Sequence, residues 1–196
     1  MAGTLQLAEF FHSVQGEGTR AGLPCAFVRL AGCNLRCRWC DTAYARDRGE
    51  TTTVNEALSA AVAMNPARVQ VTGGEPLLQP AALELLRRLC DTGAETLLET
   101  NGSRDIAPVD PRVVRIVDFK CPASGECEAN RWANADELTA RDEVKFVLAG
   151  RGDFDWAMER IDAYDLDRRC DVLLAPVHGE LAGGELVEWV LATGRD

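Results

Sequence analysis

The chain has 196 residues, 46% of them hydrophobic, with 31 acidic against 21 basic side chains and a formal net charge of −10. A charge of that sign excludes nonspecific binding to nucleic acid or to an anionic membrane surface, both of which need a basic face. No apolar run approaches the roughly 20 residues that cross a bilayer, and "MAGTLQLAEFF" lacks the basic region and apolar segment of a secretory leader.

The expectation is therefore a single domain over 1–196 in the cytoplasm, where the eight cysteines stay reduced and serve metals, catalysis or the core. In chain order, "CAFVRL" (25–30) reads as a buried strand running into a cysteine-bearing loop. "TVNEALSAAVAM" (53–64) reads as a helix, with Thr53 and Glu56 at capping-box spacing. "RVQVT" (68–72) is a β-branched strand stopped by Gly73-Gly74. "PAALELLRRLC" (80–90) is a helix with Pro80 in its first turn; Ala82, Leu85, Leu86 and Leu89 fall on one face. "ETLLET" (95–100) and "RVVRIVDFK" (112–120) are strands with no clear helix between them. "EVKFVL" (143–148), "FDWAMERIDAY" (154–164), "DVLLAP" (171–176) and "GELVEWVLA" (184–192) continue the alternation.

About six strands, each followed by a loop and usually a helix, predict an α/β fold: a parallel sheet with helices outside, closed or partly closed into a barrel. Segments 103–111 and 121–135 read as crossover helices that have been cut down. Polar and glycine-rich residues cluster just after the strands, at the edge where α/β sheets bind ligands.

The densest chemistry lies in "GCNLRCRWCDT" (32–42), which sets Cys33, Cys37 and Cys40 at C-x3-C-x2-C. Structural zinc sites close with four ligands, and electron-transfer [4Fe–4S] clusters are normally held by four cysteines. Three thiolates leave one metal position open, which is where chemistry happens. A zinc site completed by His178 or Cys121 is the alternative at this point. Cys25, Cys90 and Cys170 read as core residues. Arg29, in a strand that otherwise reads as buried, calls for an anionic partner: a ligand carboxylate or a structural salt bridge.

The cysteine spacing, Trp39 just before the last cysteine, and "VTGGEP" (71–76) at the end of the next strand together resemble the radical S-adenosylmethionine (SAM) enzymes. The resemblance implies a partial (β/α)6 barrel with parallel strands and some crossover helices shortened. It also implies a [4Fe–4S] cluster on Cys33, Cys37 and Cys40, with SAM chelated to the fourth iron. Cleavage of SAM then yields a 5′-deoxyadenosyl radical that takes hydrogen from a substrate.

"SVQGEGTRAGLPCAFVRLAGCNLRCRWCDT" (13–42), "LLETNGS" (97–103), "VDFKCPASGE" (117–126), "DEVKFVL" (142–148) and "LLAPVHGEL" (173–181) are similar, in order, to the blocks of the 7-carboxy-7-deazaguanine synthase family. That resemblance implies a lyase that contracts the ring of 6-carboxy-5,6,7,8-tetrahydropterin with release of ammonia, in a deazapurine (queuosine-type) pathway. It implies Mg2+ on Thr42, and SAM bordered by Trp39, Cys40, Asp41, Gly74, Lys120 and the segment Ala175, Pro176, Val177, His178. It implies substrate contacts from Val14, Gln15, Gly16, Arg29, Thr72 and Glu99. It further implies a homodimer and a reductant such as flavodoxin. The family continues past "GELVEWVLATGRD" with a strand containing His-Lys that this sequence does not include, which leaves the closing of the substrate pocket open. A glycyl-radical activating enzyme fits the "VQGEG" and "CDT" blocks poorly, and a non-catalytic zinc or iron–sulfur module gives no reason for them.

Overall fold

The computed structural model describes residues 3–195; Met1, Ala2 and Asp196, which the expected domain of 1–196 includes, lie outside the described residues. Eight strands make one sheet: β1 (Thr4–Val14), β2 (Pro24–Leu30), β3 (Glu50–Thr53), β4 (Arg68–Gly73), β5 (Glu95–Thr100), β6 (Val114–Asp118), β7 (Glu143–Leu148) and β8 (Asp171–Pro176). Their spatial order is β3-β1-β2-β4-β5-β6-β7-β8. From β2 to β8 every neighbour pairs in parallel, so the six strands expected from the sequence are the parallel body of the fold. Strands β1 and β3 were not expected; they extend the β2 edge in antiparallel register.

Five helices accompany the sheet: α1 (Val54–Ala63), α2 (Ala81–Asp91), α3 (Arg151–Ala163), the short α4 (Leu166–Arg169) and α5 (Gly183–Thr193). The Thr53–Glu56 capping box forms in full, so two of α1's orphan N–H groups are satisfied reciprocally. In α2, Ala82, Leu85, Leu86 and Leu89 are wholly buried against the sheet, the leucines contributing roughly 2 kcal/mol each. Pro80 stands just before that helix, at its N-cap, rather than within the first turn. Helix α3 starts at Arg151, three residues before the expected Phe154.

No α-helix connects β5 to β6 or β6 to β7, as the shortened crossovers predicted. Three 3-10 turns between Pro122 and Glu137 cover the sheet instead. The last carries Trp132, whose ring stacks on Phe119 and on Tyr164, each at 4.6 Å. Aromatic area thus replaces a helix's apolar face here. No helix among the described residues is long and apolar enough to cross a membrane.

Candidate active site

Parallel strands are usually apolar on both faces because helices cover both. Here the two faces differ. Toward the helices point Ala26, Val28 and Leu30 of β2, Val69 and Val71 of β4, Leu98 of β5, Val117 of β6, and Val144, Phe146 and Leu148 of β7, all in one hydrophobic core. The alternate positions line a cavity of about 580 Å3: Phe27 and Arg29, Gln70 and Thr72, Glu99, Ile116 and Asp118, Glu143, Lys145 and Val147, then Leu173 and Ala175. Among these residues the helix side is wholly apolar, while all the polar ones, with Phe27, Ile116, Val147, Leu173 and Ala175 between them, face the cavity. A buried polar wall of this kind needs partners of its own or a ligand.

The cysteine loop and the segment after β4 roof this cavity. Their contact is backbone to backbone: Gly74 N donates to Leu30 O at 3.1 Å, and Glu75 N to Gly32 O at 2.8 Å. A Cβ on Gly74 would stand 2.2 Å from Gly32 O and 2.7 Å from the Cβ of Cys33, so only glycine permits the approach. Glu75 is wholly buried. Its carboxylate accepts from Thr100 Oγ1 at 2.9 Å, Asn101 N at 2.7 Å and Leu77 N at 2.9 Å, tying the turn after β4 to the end of β5. Burial pushes its pKa up against those hydrogen bonds. Asn101 then reaches Asn34 of the loop at 3.2 Å, while Arg36 N donates to Glu126 at 2.6 Å and Arg38 N to Ser124 O at 3.0 Å. The loop is thus tied to the ends of three other strands.

Charge concentrates deeper in the cavity. Lys145 Nζ lies 2.7 Å from Glu17, 2.9 Å from Glu99 and 3.7 Å from Asp118. Lys120 Nζ lies 2.8 Å from Asp118. Burial works against the charge on Lys145, yet Glu99, Asp118 and Glu17 together hold its pKa above the ordinary lysine range. The Lys145 ammonium in turn draws Glu99 down to about 2, with hydrogen bonds from Lys145 and Thr72 helping. Gln70 also donates to Glu99, at 2.9 Å, and accepts from Gln15. Among the described residues, four buried side-chain polar atoms have no hydrogen-bond partner: Arg46 Nε, Asp118 Oδ1, Glu143 Oε2 and Arg160 Nε. The first three belong to residues on the cavity wall.

Of the site residues expected from sequence, all but one line this cavity: Gln15, Gly16, Arg29, Cys33, Cys37, Trp39, Cys40, Asp41, Thr42, Thr72, Gly74, Glu99, Lys120, Ala175, Pro176, Val177 and His178. Val14 is the exception. It ends β1 opposite Pro24, is 55% exposed, and does not line the cavity. Arg29 is only partly buried, and its Nε bonds Glu9 of the neighbouring strand at 2.7 Å, the salt bridge that was the alternative, while the residue still lines the cavity. Thr42 holds the N-cap position of a 3-10 turn but caps no backbone group; its hydroxyl donates to Asp41 at 2.8 Å. Cys121 cannot serve a site on the cysteine loop, because it is 1% exposed within the apolar core, where burial raises its thiol's pKa. Cys25 and Cys170 are likewise buried, with thiols pushed up to about 11 and about 12.

Sequence reading passed over Arg46, Gln70, Asp118, Glu143 and Lys145 as site residues. A signal existed for most of them: each strand residue is a polar side chain alternating with apolar ones. For the cluster and SAM that the resemblance implies, the donor set fits. Three thiols share one loop, cations stand beside them in Arg46 and Lys120, and the wall carries unpaired donors and acceptors for a polar ligand. No three His, Cys, Asp or Glu side chains among the described residues converge as a single bound ion requires. A four-iron cube spaces its thiolates more widely than one ion does.

A family model described as the radical SAM superfamily matches residues 28–122. A 7-carboxy-7-deazaguanine synthase of Chlorobaculum tepidum is 44% identical over 190 residues, covering 95% of this chain and 86% of that protein. One of Koribacter versatilis is 40% identical over 207 residues, covering 98% and 92%. The crystal structure of QueE from Escherichia coli superposes with a TM-score of 0.80 at 24% identity, covering 97% of this chain and 91% of that one, which is likeness of fold.

Proposed function

The chain belongs to the 7-carboxy-7-deazaguanine synthase family of radical SAM enzymes, whose members carry a [4Fe–4S] cluster and SAM, and from that premise we propose how its cavity is used. Cys33, Cys37 and Cys40 hold the cluster. Trp39, Asp41, Gly74, Lys120 and the segment Ala175 to His178 border SAM. Gln15, Gly16, Arg29, Thr72 and Glu99 receive 6-carboxy-5,6,7,8-tetrahydropterin, and Thr42 with Mg2+ meets its carboxylate. The same reading has the enzyme work in the cytoplasm as a single-domain homodimer served by a reductant such as flavodoxin; its eight free thiols support a reducing compartment.

When bound, the cluster and SAM supply the electron and the radical that open the reaction. The chain's own residues supply position and charge. Glu99 stays ionised beside Lys145 and offers a fixed acceptor to the N–H edge of a pterin, with Gln70 and Thr72 holding its second oxygen. Arg29 uses Nε on Glu9, which leaves its terminal nitrogens to the substrate carboxylate. Asp118, shared between Lys120 and Lys145, presents an unpaired Oδ1 to a donor. The ring contraction releases ammonia, and the sheet with its roof keeps water from the intermediate stages.

The observation that carries this reading is the gathering of three unpaired buried polar atoms on one polar cavity under the cysteine loop. The experiment is anaerobic reconstitution with iron and sulfide, then turnover of SAM with and without the carboxylated pterin, at varied Mg2+. Product formation dependent on both is expected. Thr42→Ala should lower Mg2+-dependent turnover and leave the cluster's absorption intact. A cluster that forms while the pterin gives no deazaguanine would overturn the substrate assignment, and zinc without visible absorption would overturn the radical reading.

A further inference from the structure

Among the described residues, Arg46 is the one cation in the roof that lines the cavity with all three cysteines and has no carboxylate partner. It closes the 3-10 turn Ala43–Arg46 that directly follows the cysteine loop. The turn is pinned beneath that loop: Ala45 is wholly buried, and its carbonyl accepts from Gly32 N at 2.9 Å. That fixes the backbone from which the Arg46 side chain extends. Its Nη2 reaches the carbonyl of Cys37 at 3.5 Å, its Nε is buried without a partner, and it lines the cavity together with Cys33, Cys37 and Cys40. The other arginines near this loop have partners: Arg36 the carbonyls of Cys33 and Leu35, Arg38 the carboxylate of Glu180, and Arg29, through Nε, that of Glu9.

The reduction potential of an iron–sulfur cluster depends on net charge, on hydrogen bonds to its sulfurs and on solvent exposure. A fixed cation beside the thiolates favours the reduced form, which carries one more negative charge. We propose that Arg46 is a positioning residue of the cluster site, its guanidinium raising the cluster's reduction potential so that a one-electron donor of modest strength can charge it. This rests on a cluster being held by the three cysteines. The electron comes from that donor, and no bond to Arg46 forms or breaks.

The test is a mediated redox titration of the reconstituted protein with dithionite, followed by electron paramagnetic resonance of the reduced cluster without SAM or substrate. Arg46→Gln keeps a donor and removes the charge; its midpoint should fall by at least about 59 mV, a tenfold change in a one-electron equilibrium constant. Arg46→Lys should stay near the parent value. Arg46→His should give a midpoint that changes with pH across the imidazole's titration, near pH 6.5, which the parent lacks. Equal midpoints for the parent and Arg46→Gln, each with four irons bound, would overturn the proposal. So would loss of iron from Arg46→Gln and Arg46→His alike while their metal-free forms melt as the parent does, because Arg46 would then retain the cluster rather than tune it. Failure of the parent itself to take up a cluster would instead strike the reading of the site as a whole.

Discussion

The roof and the depth of the cavity are built on opposite principles. The roof is held mainly by backbone hydrogen bonds and by the carboxylate of Glu75, which is buried, has no salt-bridge partner and is surrounded by N–H and hydroxyl donors. The depth is held by charge: Lys145 among Glu17, Glu99 and Asp118. A roof of short directional bonds fixes the shape of the cysteine loop with little dependence on charge pairing, its Arg38–Glu180 pair being exposed and weak. The charges of the interior already have partners before anything binds, Lys145 and Lys120 among Glu17, Glu99 and Asp118, so a polar ligand exchanges partners there rather than stripping bare ions of water.

Four measurements would break or sharpen that contrast. The largest effect is expected from Gly74→Ala, because the added Cβ meets backbone rather than a movable side chain. It should destabilise the fold by about 3 kcal/mol and lower the iron retained after reconstitution; a variant that melts normally and binds four irons would show that the roof can give. Lys145→Met comes next. It takes from Glu99 its ammonium partner and leaves Asp118 only Lys120, at a cost of about 3 kcal/mol in urea unfolding, and that loss should shrink at acid pH as Glu99 takes up a proton.

The third concerns pH. Glu99's folded pKa of about 2 lies below its ordinary value of 4.5, so its contribution is complete above pH 4.5 and is lost as pH falls toward 2. Glu75 is shifted the other way; its contribution is fullest below pH 4.5 and declines as pH rises. Unfolding of Glu99→Gln between pH 5 and 2 should show a smaller loss of stability with acid than the parent; an unchanged slope would mean that other depressed carboxylates, Asp142 and Glu95 among them, dominate. The smallest effect is expected from Arg38→Ala. Its bidentate bond to Glu180 is solvent-exposed, and such pairs are worth about 1 kcal/mol or less. The melting temperature should barely move, in contrast to the interior lysine.

The parallel strands were legible because each is a short run of branched and aliphatic residues closed by glycine, proline or asparagine. The capping box of α1 and the leucine face of α2 were legible because a helix states its period within a dozen residues. The charged interior was not. Glu99, Asp118 and Lys145 are far apart in the chain and meet only because β5, β6 and β7 lie side by side, with Asp118 paired to Lys145 in register. A local pattern shows that a strand residue is polar, but not which strand will be its neighbour. Strand β3, reading "ETTT", carries too little apolar character to announce itself.

Strand β1 escaped notice for a different reason. Its register slips between Leu7 and Glu9: Leu7 lies opposite Leu30, yet Glu9 lies opposite Arg29. One extra residue therefore sits in β1, a β-bulge. Before it, Leu5 and Leu7 pack with the helix-side core; after it, Phe10 does, while Phe11 stacks on the cavity residue Phe27. No single alternation runs through "TLQLAEFFHSV" because the strand changes phase partway.

The consequence reaches beyond this strand's appearance. Ala8 is the residue that lets the strand change phase. Deleting it would set Leu7 and Glu9 side by side on opposite faces, still opposite Leu30 and Arg29, so the ladder would become regular with both sets of partners kept. Deleting Gln6 instead would turn over the segment before it and carry Leu5 off the core, so the edge reads a change of length by where it falls, as a frame rather than as a side chain.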